Sequence, residues 1–541
     1  MKKVLIIGSG PNRIGQGIEF DYACVHASLA LRELDIKTIM LNCNPETVST
    51  DFDISDRLYF EPITIERVLD VINRESPDGV FIQFGGQTPL KLALELEKNR
   101  VNILGTKPSS IDLAEDRALF KNLVESLGFR QPRSEVAFNL EEAIRRANSV
   151  GFPVLVRPSY VLGGRAMKII HDPEELSHYL KEAVEVSEQR PVLIDEFLSS
   201  SVEVDVDAIS DGQDCLIGGV MEHIEEAGIH SGDSAASIPP YTLESDLIAE
   251  IKSQTRALAK ALNVCGLLNV QFAIKDGQIY ILEANPRSSR TIPFISKAIG
   301  YPLAKISALV GVGITLRSQL PEVFKRLESS NLASDFLPPD FNLFAVKEVV
   351  FPWERFPEED PLLGPEMRST GEVMAFGPTF GIAYYKAQLS AGNRLPLSGS
   401  VFVSVSDADK PKALELCKGL IDLGFEIYAT EGTHNFLKSH SIPSKRVSKL
   451  SQGNPNALDL IKEQKLNLII NTPSGKRERS DAKRIRQLAI FYRIPYTTTL
   501  RGAYAMLEAI KEYSKTKELP LFALQDITKS APSAHSYAPQ S

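Results

Sequence analysis

The first 115 or so residues alternate short apolar runs with longer amphipathic stretches. VLIIG (4–8), TIMLN (38–42), GVFIQFGG (79–86) and VNILG (101–105) predict buried strands. The segments between them are long enough for crossover helices, so the pattern predicts a parallel α/β layer over 1–115. From 116 to 330 the pattern is mixed. PVLVRPS (153–159), PVLIDEFL (191–198), VEVDVDAIS (202–210) and NVQFAIKDGQIYILEANPR (269–287) predict strands of an antiparallel sheet, interrupted by helical stretches such as 243–262. Residues 331–392 are rich in Pro, Gly and aromatics and are expected to close back on that unit. SAGNRLPLSGS (390–400) reads as a linker. A second α/β pattern occupies 396–526: SVFVSV (400–405), a helix through 410–423, FEIYAT (425–430) and LNLIIN (466–471). The tail 527–541 lacks periodicity and predicts disorder. The EANPR signature occurs once, so no internal repeat is expected.

A chain of 541 residues exceeds one compact core and predicts several domains. The 43% hydrophobic and 24% charged content is an ordinary globular balance. A formal net charge of -9 argues against nucleic acid or an anionic membrane as the main partner. Cys24, Cys43, Cys215, Cys265 and Cys417 are scattered, without metal-ligand spacing, and read as reduced thiols. The N-terminal apolar run stops at Gly8, too short for a secretory h-region, and no segment approaches a membrane span. The cytoplasm is the expected location.

Four segments carry candidate chemistry. GSGPNRIGQG (8–17) follows a strand, but its spacing is not that of a dinucleotide fingerprint, and Asn42 and Asn44 stand where an acid would be needed. It is read as a turn that packs strand on helix and shapes one wall of a cleft. No Walker A sequence is present. The strongest signal is Gln271 with Glu283-Ala284-Asn285-Pro286-Arg287 on two strands joined through Asp276-Gly277. A two-residue turn would place Gln271 and Glu283 on opposite faces. An odd loop, Lys275-Asp276-Gly277 with Gly277 left-handed, would place Gln271, Glu283 and Asn285 together. Three oxygen donors suit a hard cation such as magnesium, and Arg287 could neutralise charge developing in phosphoryl transfer. The three side chains are expected to turn into a common cavity lined by cations.

VRPSYVLGGRAM (156–167) places Arg157 in an apolar strand, where a phosphate could partner it, ahead of a Gly-rich stretch, Leu162–Arg165, suited to cover phosphates. In DEFLSSSVEVDVDAI (195–209) alternation puts Glu203, Asp205 and Asp207 on one side of a strand. Glu203 is the candidate for ribose hydroxyls, and Glu196 to Leu198 for the adenine edge. MEHIEEAGIHSGDS (221–234) mixes His223, His230 and Ser231 with glutamates in a Gly-containing loop. Without a third clear ligand, nucleotide or substrate contact is preferred there over zinc.

Together these segments resemble the ATP-grasp fold as it occurs in the carbamoyl phosphate synthetase family. GPNRIGQGIEFDY, NCNPETVSTDFD, GGQTPLKLA, RPSYVLGGRAM, EHIEEAGIHSGDSA, NVQFA, EANPR and DPLLGPEMRSTGEVM carry the resemblance from residue 8 to about 375. RPSYVLGGRAM is similar to the second, carbamoyl phosphate-forming half of the family's large chain. The resemblance implies an α/β and α+β multidomain fold with a pre-ATP-grasp domain, an ATP-grasp domain and a C-terminal methylglyoxal-synthase-like domain. It implies ATP contacts at Arg157, Glu196, Leu198, Glu203, Gly228, Ile229, His230, Ser231, Gln271 and Glu283. It implies two magnesium or manganese ions, one on Gln271 and Glu283 and one shared by Glu283 and Asn285, with Arg287 beside the transferred phosphoryl group.

The implied reaction is phosphorylation of carbamate by ATP, feeding arginine and pyrimidine biosynthesis. The implied partners are a separate N-terminal half of the large chain and a glutamine amidotransferase small subunit. In the last domain, Lys410, Thr430, Thr433, Lys449 and Asn471 match positions that hold a regulatory nucleotide phosphate, although Thr472-Pro473 departs from the pattern. Glu225, Asp233 and Glu348 match an ornithine site of some relatives. Two rival readings remain: another ATP-grasp ligase, such as a biotin-dependent carboxylase component, or a non-catalytic regulatory subunit.

Overall fold

The computed structural model describes residues 1–158, 167–182, 191–448, 450, 453–472 and 476–527. The chain divides into two compact units. Among the described residues, the first holds those within 1–222, 238–341 and 522–527, and the second those within 223–237 and 342–521.

In the first unit, four parallel strands run in the order Arg57–Phe60, Lys37–Asn42, Lys3–Ile7, Gly79–Phe81. Leu5, Ile7, Ile39, Leu41, Val80 and Ile82 on one face pack with Val68 and Val71 of the helix Ile65–Glu75. Three of the strands follow the apolar runs. VNILG does not form one: it touches the sheet at a single bridge, Val80 to Ile103. RLYF (57–60), an edge strand that is half exposed, gave no apolar signal.

A second layer of the same unit pairs Val202–Asp211, Cys265–Lys275 and Gln278–Asn285 antiparallel. Val204, Val206, Ala208, Leu268, Val270 and Phe272 face the helix Ser245–Ala261 through Ile248, Ile251 and Leu258. A smaller antiparallel sheet, in the order Ser134–Ala137, Val192–Glu196, Val154–Pro158, Lys168–Ile170, is covered by the helices Leu140–Val150 and Pro173–Glu182. Val154, Val156, Val192 and Ile194 alternate into its core.

The second unit contains a parallel sheet in the order Lys445–Val447, Phe425–Thr430, Gly399–Ser404, Leu468–Asn471, Tyr496–Thr497. An antiparallel pair, Phe344–Val350 with Gly371–Gly377, belongs to the same unit. The helix Phe380–Ser390 meets the helix Leu500–Thr516 with Tyr385 stacked on Tyr513 at 4.1 Å between ring centroids. No helix among the described residues is long and apolar enough to cross a membrane. Beyond Ile527, the tail lies outside the described residues.

Candidate functional site

The hairpin sets the geometry of the site. Lys275 pairs with Gln278, so the turn is the two residues Asp276 and Gly277, with φ of 50° and 71°. This corrects the expected three-residue loop, although Gly277 is left-handed as expected. A two-residue turn alone would separate Gln271 from Glu283. The parity is restored higher up: Phe272 pairs with Ile281 and Gln271 with Glu283, leaving Leu282 as an extra residue in a bulge. Two polar rows then cross three strands on the face away from the core. Asp205, Gln271 and Glu283 form one, and Asp207, Asn269 and Asn285 the other.

Asn285 Nδ2 donates to Glu283 Oε1 at 2.9 Å, and Arg287 Nη2 donates to Asn285 Oδ1 at 3.1 Å. Arg287 Nε reaches Gln87 Oε1 at 3.3 Å, and Gln87 Nε2 reaches Glu115 Oε1 at 2.7 Å. The GGQTP segment and EANPR, some 200 residues apart, are thereby joined. Burial lowers the Arg287 pKa, against the opposing pull of the Glu283 charge. Gln16 of the N-terminal Gly-rich turn donates to Ser9 O at 2.8 Å and to Thr88 Oγ1 at 2.8 Å, tying that turn to the same wall. Asn42, at the position where a dinucleotide site would need an acid, instead accepts from Gly10 N at 3.0 Å. Gly8 must be glycine there, because a Cβ would lie 2.5 Å from the Asn42 side chain.

Asp207 is fully buried. Burial pushes its carboxyl up to about 6, resisted by hydrogen bonds from Thr291, Ser289 and Asn269 and reinforced by the charge of Asp205. Glu283, by contrast, is exposed. The expectation of a carboxylate enclosed in a cavity is therefore corrected to one on an open face. Its charge still acts on Arg117 and Arg287.

Arg157 does not wait for a phosphate: Nη2 meets Asp195 Oδ2 at 2.8 Å, while Nε has no partner among the described residues. Arg117 Nη1 lies 3.9 Å from the same oxygen. The Arg117 side chain is 43% exposed, and partial desolvation with the like charge of Arg157 lowers its pKa against the pull of Asp195 and Glu283. Two guanidinium groups around one carboxylate leave a net positive spot, suited to an anion. The stretch Leu162–Arg165 lies outside the described residues.

Glu196 is engaged by Arg133, whose Nε and N approach Oε2 at 3.1 and 3.2 Å. Burial would raise the Glu196 carboxyl, but these bonds outweigh it and hold it below its ordinary value. Leu198 is buried, and its carbonyl accepts from Ser201 Oγ at 2.7 Å. Glu203 sits one row from Asp205 on the polar face.

Gly228, Ile229, His230 and Ser231 belong to the second unit. His230 N donates to Gly364 O at 2.8 Å, and its Nδ1 accepts from Gly232 N at 3.0 Å. Asp233 is fully buried, with Arg368 N and Ser369 N at 2.7 and 2.9 Å on its carboxylate.

Thr430, Thr433 and Asn471 converge at the C-terminal end of the strand Gly399–Ser404. Thr430 Oγ1 lies 3.1 Å from Ser404 Oγ, Thr433 Oγ1 accepts from Val405 N at 3.3 Å, and Asn471 Nδ2 donates to Ser404 O at 3.2 Å. Asn471 Oδ1 is buried without a partner among the described residues. A Cβ on Gly432 would stand 3.4 Å from Lys410 Nζ, which pairs with Asp407 at 2.6 Å. Lys449 and Pro473 lie outside the described residues.

Glu225, half-buried, and Glu348, buried, are carboxyls of the same unit. Burial raises Glu225 to about 7 and Glu348 to about 8, and the Glu225 charge adds to the shift of Glu348. Thr499 Oγ1 donates to Glu225 at 3.1 Å.

Residues 1–113 match the model described as the carbamoyl phosphate synthase preATP-grasp domain, and residues 116–319 match the carbamoyl-phosphate synthase L chain ATP binding domain. Residues 412–498 match the MGS-like domain. A relative from Aquifex aeolicus (strain VF5), the carbamoyl phosphate synthase large chain, C-terminal section, is 63% identical, over 97% of this chain and 99% of its own. The carbamoyl phosphate synthase large chain of Archaeoglobus fulgidus is 54% identical over 97% of this chain, which spans 48% of that protein.

The biotin carboxylase domain of Hydrogenobacter thermophilus 2-oxoglutarate carboxylase superposes with a TM-score of 0.53 at 16% identity, covering 72% of this chain and 89% of that one. An N5-carboxyaminoimidazole ribonucleotide synthetase gives a TM-score of 0.54 at 16% identity, covering 72% and 96%. These two likenesses establish the ATP-grasp fold alone. The long match at high identity establishes descent: the chain belongs to the carbamoyl phosphate synthase large-chain family and corresponds to its C-terminal section.

Proposed function

We propose that this chain phosphorylates carbamate with ATP, giving carbamoyl phosphate and ADP, as the synthetic half of a glutamine-hydrolysing carbamoyl phosphate synthetase. The single observation that carries the proposal is the pairing of Gln271 with Glu283 beside Asn285 and Arg287 on one polar face. The groups on this face, the Glu283 carboxylate and the amides of Gln271 and Asn285, fit magnesium or manganese once the Asn285 amide turns its oxygen from Arg287 toward Glu283. Gln271 and Glu283 would hold one ion, and Glu283 and Asn285 a second. Bound metal would supply charge neutralisation on the phosphate oxygens.

This chain's own residues do the rest. The carbamate oxygen attacks the γ-phosphorus in line, and the bond to the β-γ bridging oxygen breaks, with ADP leaving. Carbamate is already an anion, so no general base is needed. Arg287 places a positive charge beside the transferred group, aimed by Gln87. Arg157 and Arg117 bring further positive charge for phosphate oxygens. Glu196, Leu198 and Glu203 are the proposed contacts of the base and ribose, and Gly228, Ile229, His230 and Ser231 are assigned as nucleotide contacts by the family resemblance. The gain comes from positioning and from fixed charge that needs no reorganisation.

Carbamate is unstable in water, so the proposal includes a separate N-terminal half that supplies it and an amidotransferase subunit that supplies ammonia. The product feeds arginine and pyrimidine synthesis. The free cysteines suit a reducing cytoplasm. We further propose that Lys410, Thr430, Thr433, Lys449 and Asn471 form a regulatory phosphate site, and that Glu225, Asp233 and Glu348 receive an ammonium-bearing effector such as ornithine, with the Asp233 carboxylate already held by the Arg368 and Ser369 amides.

Incubating the isolated chain with ADP, magnesium and carbamoyl phosphate tests the main proposal without partner chains. ATP formation is expected; its absence in folded protein would favour a non-catalytic regulatory subunit.

A further inference from the structure

The segment DPLLGPEMRS (360–369) has no part in the chemistry proposed above, yet it joins two parts of the second unit. At one end stands Arg486, on the helix Lys476–Phe491. Its side chain is 0% exposed, and Nε and Nη2 form a fork on Asp360 Oδ1 at 2.9 and 2.7 Å, with Nη2 also 2.8 Å from Oδ2. The neighbouring Gln487 donates to Pro357 O at 2.8 Å. Further along the segment, Asp360 O accepts from Arg368 Nη1 at 2.8 Å. Gly364 O accepts from His230 N at 2.8 Å. The amides of Arg368 and Ser369 end on Asp233, and Ser369 Oγ donates to Gly232 O at 2.9 Å. A guanidinium with no access to water cannot lose its carboxylate without stranding a buried charge, so Asp360 is held to the helix. The backbone of 360–369 is held in turn to 230–233.

We infer that Arg486 and Asp360 are positioning residues for the loop Gly228–Ser231. Through them the C-terminal α/β sheet domain sets where that loop stands. The inference rests on the proposed nucleotide role of Gly228–Ser231.

The test compares full-length wild type with Asp360→Asn, Arg486→Met and the double variant Asp360→Leu/Arg486→Met. The double variant keeps apolar packing without the ion pair and guards against simple unfolding. Expected for all three is a rise of about ten-fold in the KM for ADP during ATP formation, with kcat within about two-fold. Amides 228–234 should also exchange faster with deuterium. The double variant should regain the wild-type melting temperature but not the wild-type KM. A purely structural brace would lower the melting temperature of the single variants and leave KM and exchange unchanged; that result overturns the inference, as does a wild-type KM in the double variant. If wild type makes no ATP, the proposed function fails, while exchange at 228–234 still decides this inference.

Discussion

Gln271 and Glu283 face each other across the hairpin only because Leu282 is an extra residue in the second strand. One bulge thereby places two oxygen donors side by side and sets Asn285 on the same face. Gln271→Ala leaves the backbone ladder intact and removes one donor. The magnesium concentration needed for half-maximal ATP formation should rise about ten-fold. A magnesium titration of the variant, with circular dichroism to confirm the fold, checks this.

Gln87 touches Arg287 through its carbonyl and Glu115 through its amide. Gln87→Leu should leave Arg287 present but badly aimed, lowering kcat about a hundred-fold while the KM for ADP changes little. Steady-state kinetics separate this from a loss of nucleotide binding, which would raise KM instead.

Asp335 is 1% exposed and meets Lys252 Nζ at 2.8 Å and Arg256 Nη2 at 2.7 Å, besides accepting from Ile217 N at 2.7 Å. Asp335→Ala strands a buried lysine and should destabilise the first unit by about 3–5 kcal/mol. Denaturant unfolding measures the loss. Activity per folded molecule should persist, since none of these groups lies on the polar face.

Glu225 is raised from its ordinary 4.5 to about 7, chiefly by burial. The folded protein then holds this proton more tightly than the unfolded chain does. The associated stability is full below about 4.5 and is lost as pH climbs to about 7. Glu225→Gln keeps an oxygen for Thr499 and removes the titration. The variant should match wild type near pH 4.5 and be more stable above pH 7, by on the order of 1–3 kcal/mol. Unfolding measured at both pH values provides the check.

Much of this was legible in the sequence, for physical reasons that can be named. Buried parallel strands are apolar on both faces, so VLIIG and TIMLN announced themselves, whereas the half-exposed edge strand at 57–60 did not. Isolated apolarity misled at VNILG, which makes one bridge only. Alternation placed Asp205 and Asp207 beside Glu203, and the same reasoning at Asn269, two residues before Gln271, would have found the second polar row. The bulge at Leu282 leaves no trace in a pattern of apolar and polar residues, so the right pairing was expected from the wrong turn. Arg117, Asp195 and Gln87 reach the site through tertiary approach, which local periodicity cannot encode.

The central claim is that Glu283, opposite Gln271, binds metal on the nucleotide phosphates. Calorimetric titration of ADP into wild type and Glu283→Gln, each with and without magnesium, tests it most directly. Wild type should bind ADP more tightly with magnesium. The variant should keep the metal-free affinity, lose the magnesium-dependent gain and form no ATP. A variant that retains that gain and substantial ATP formation would contradict the metal assignment and the function built on it.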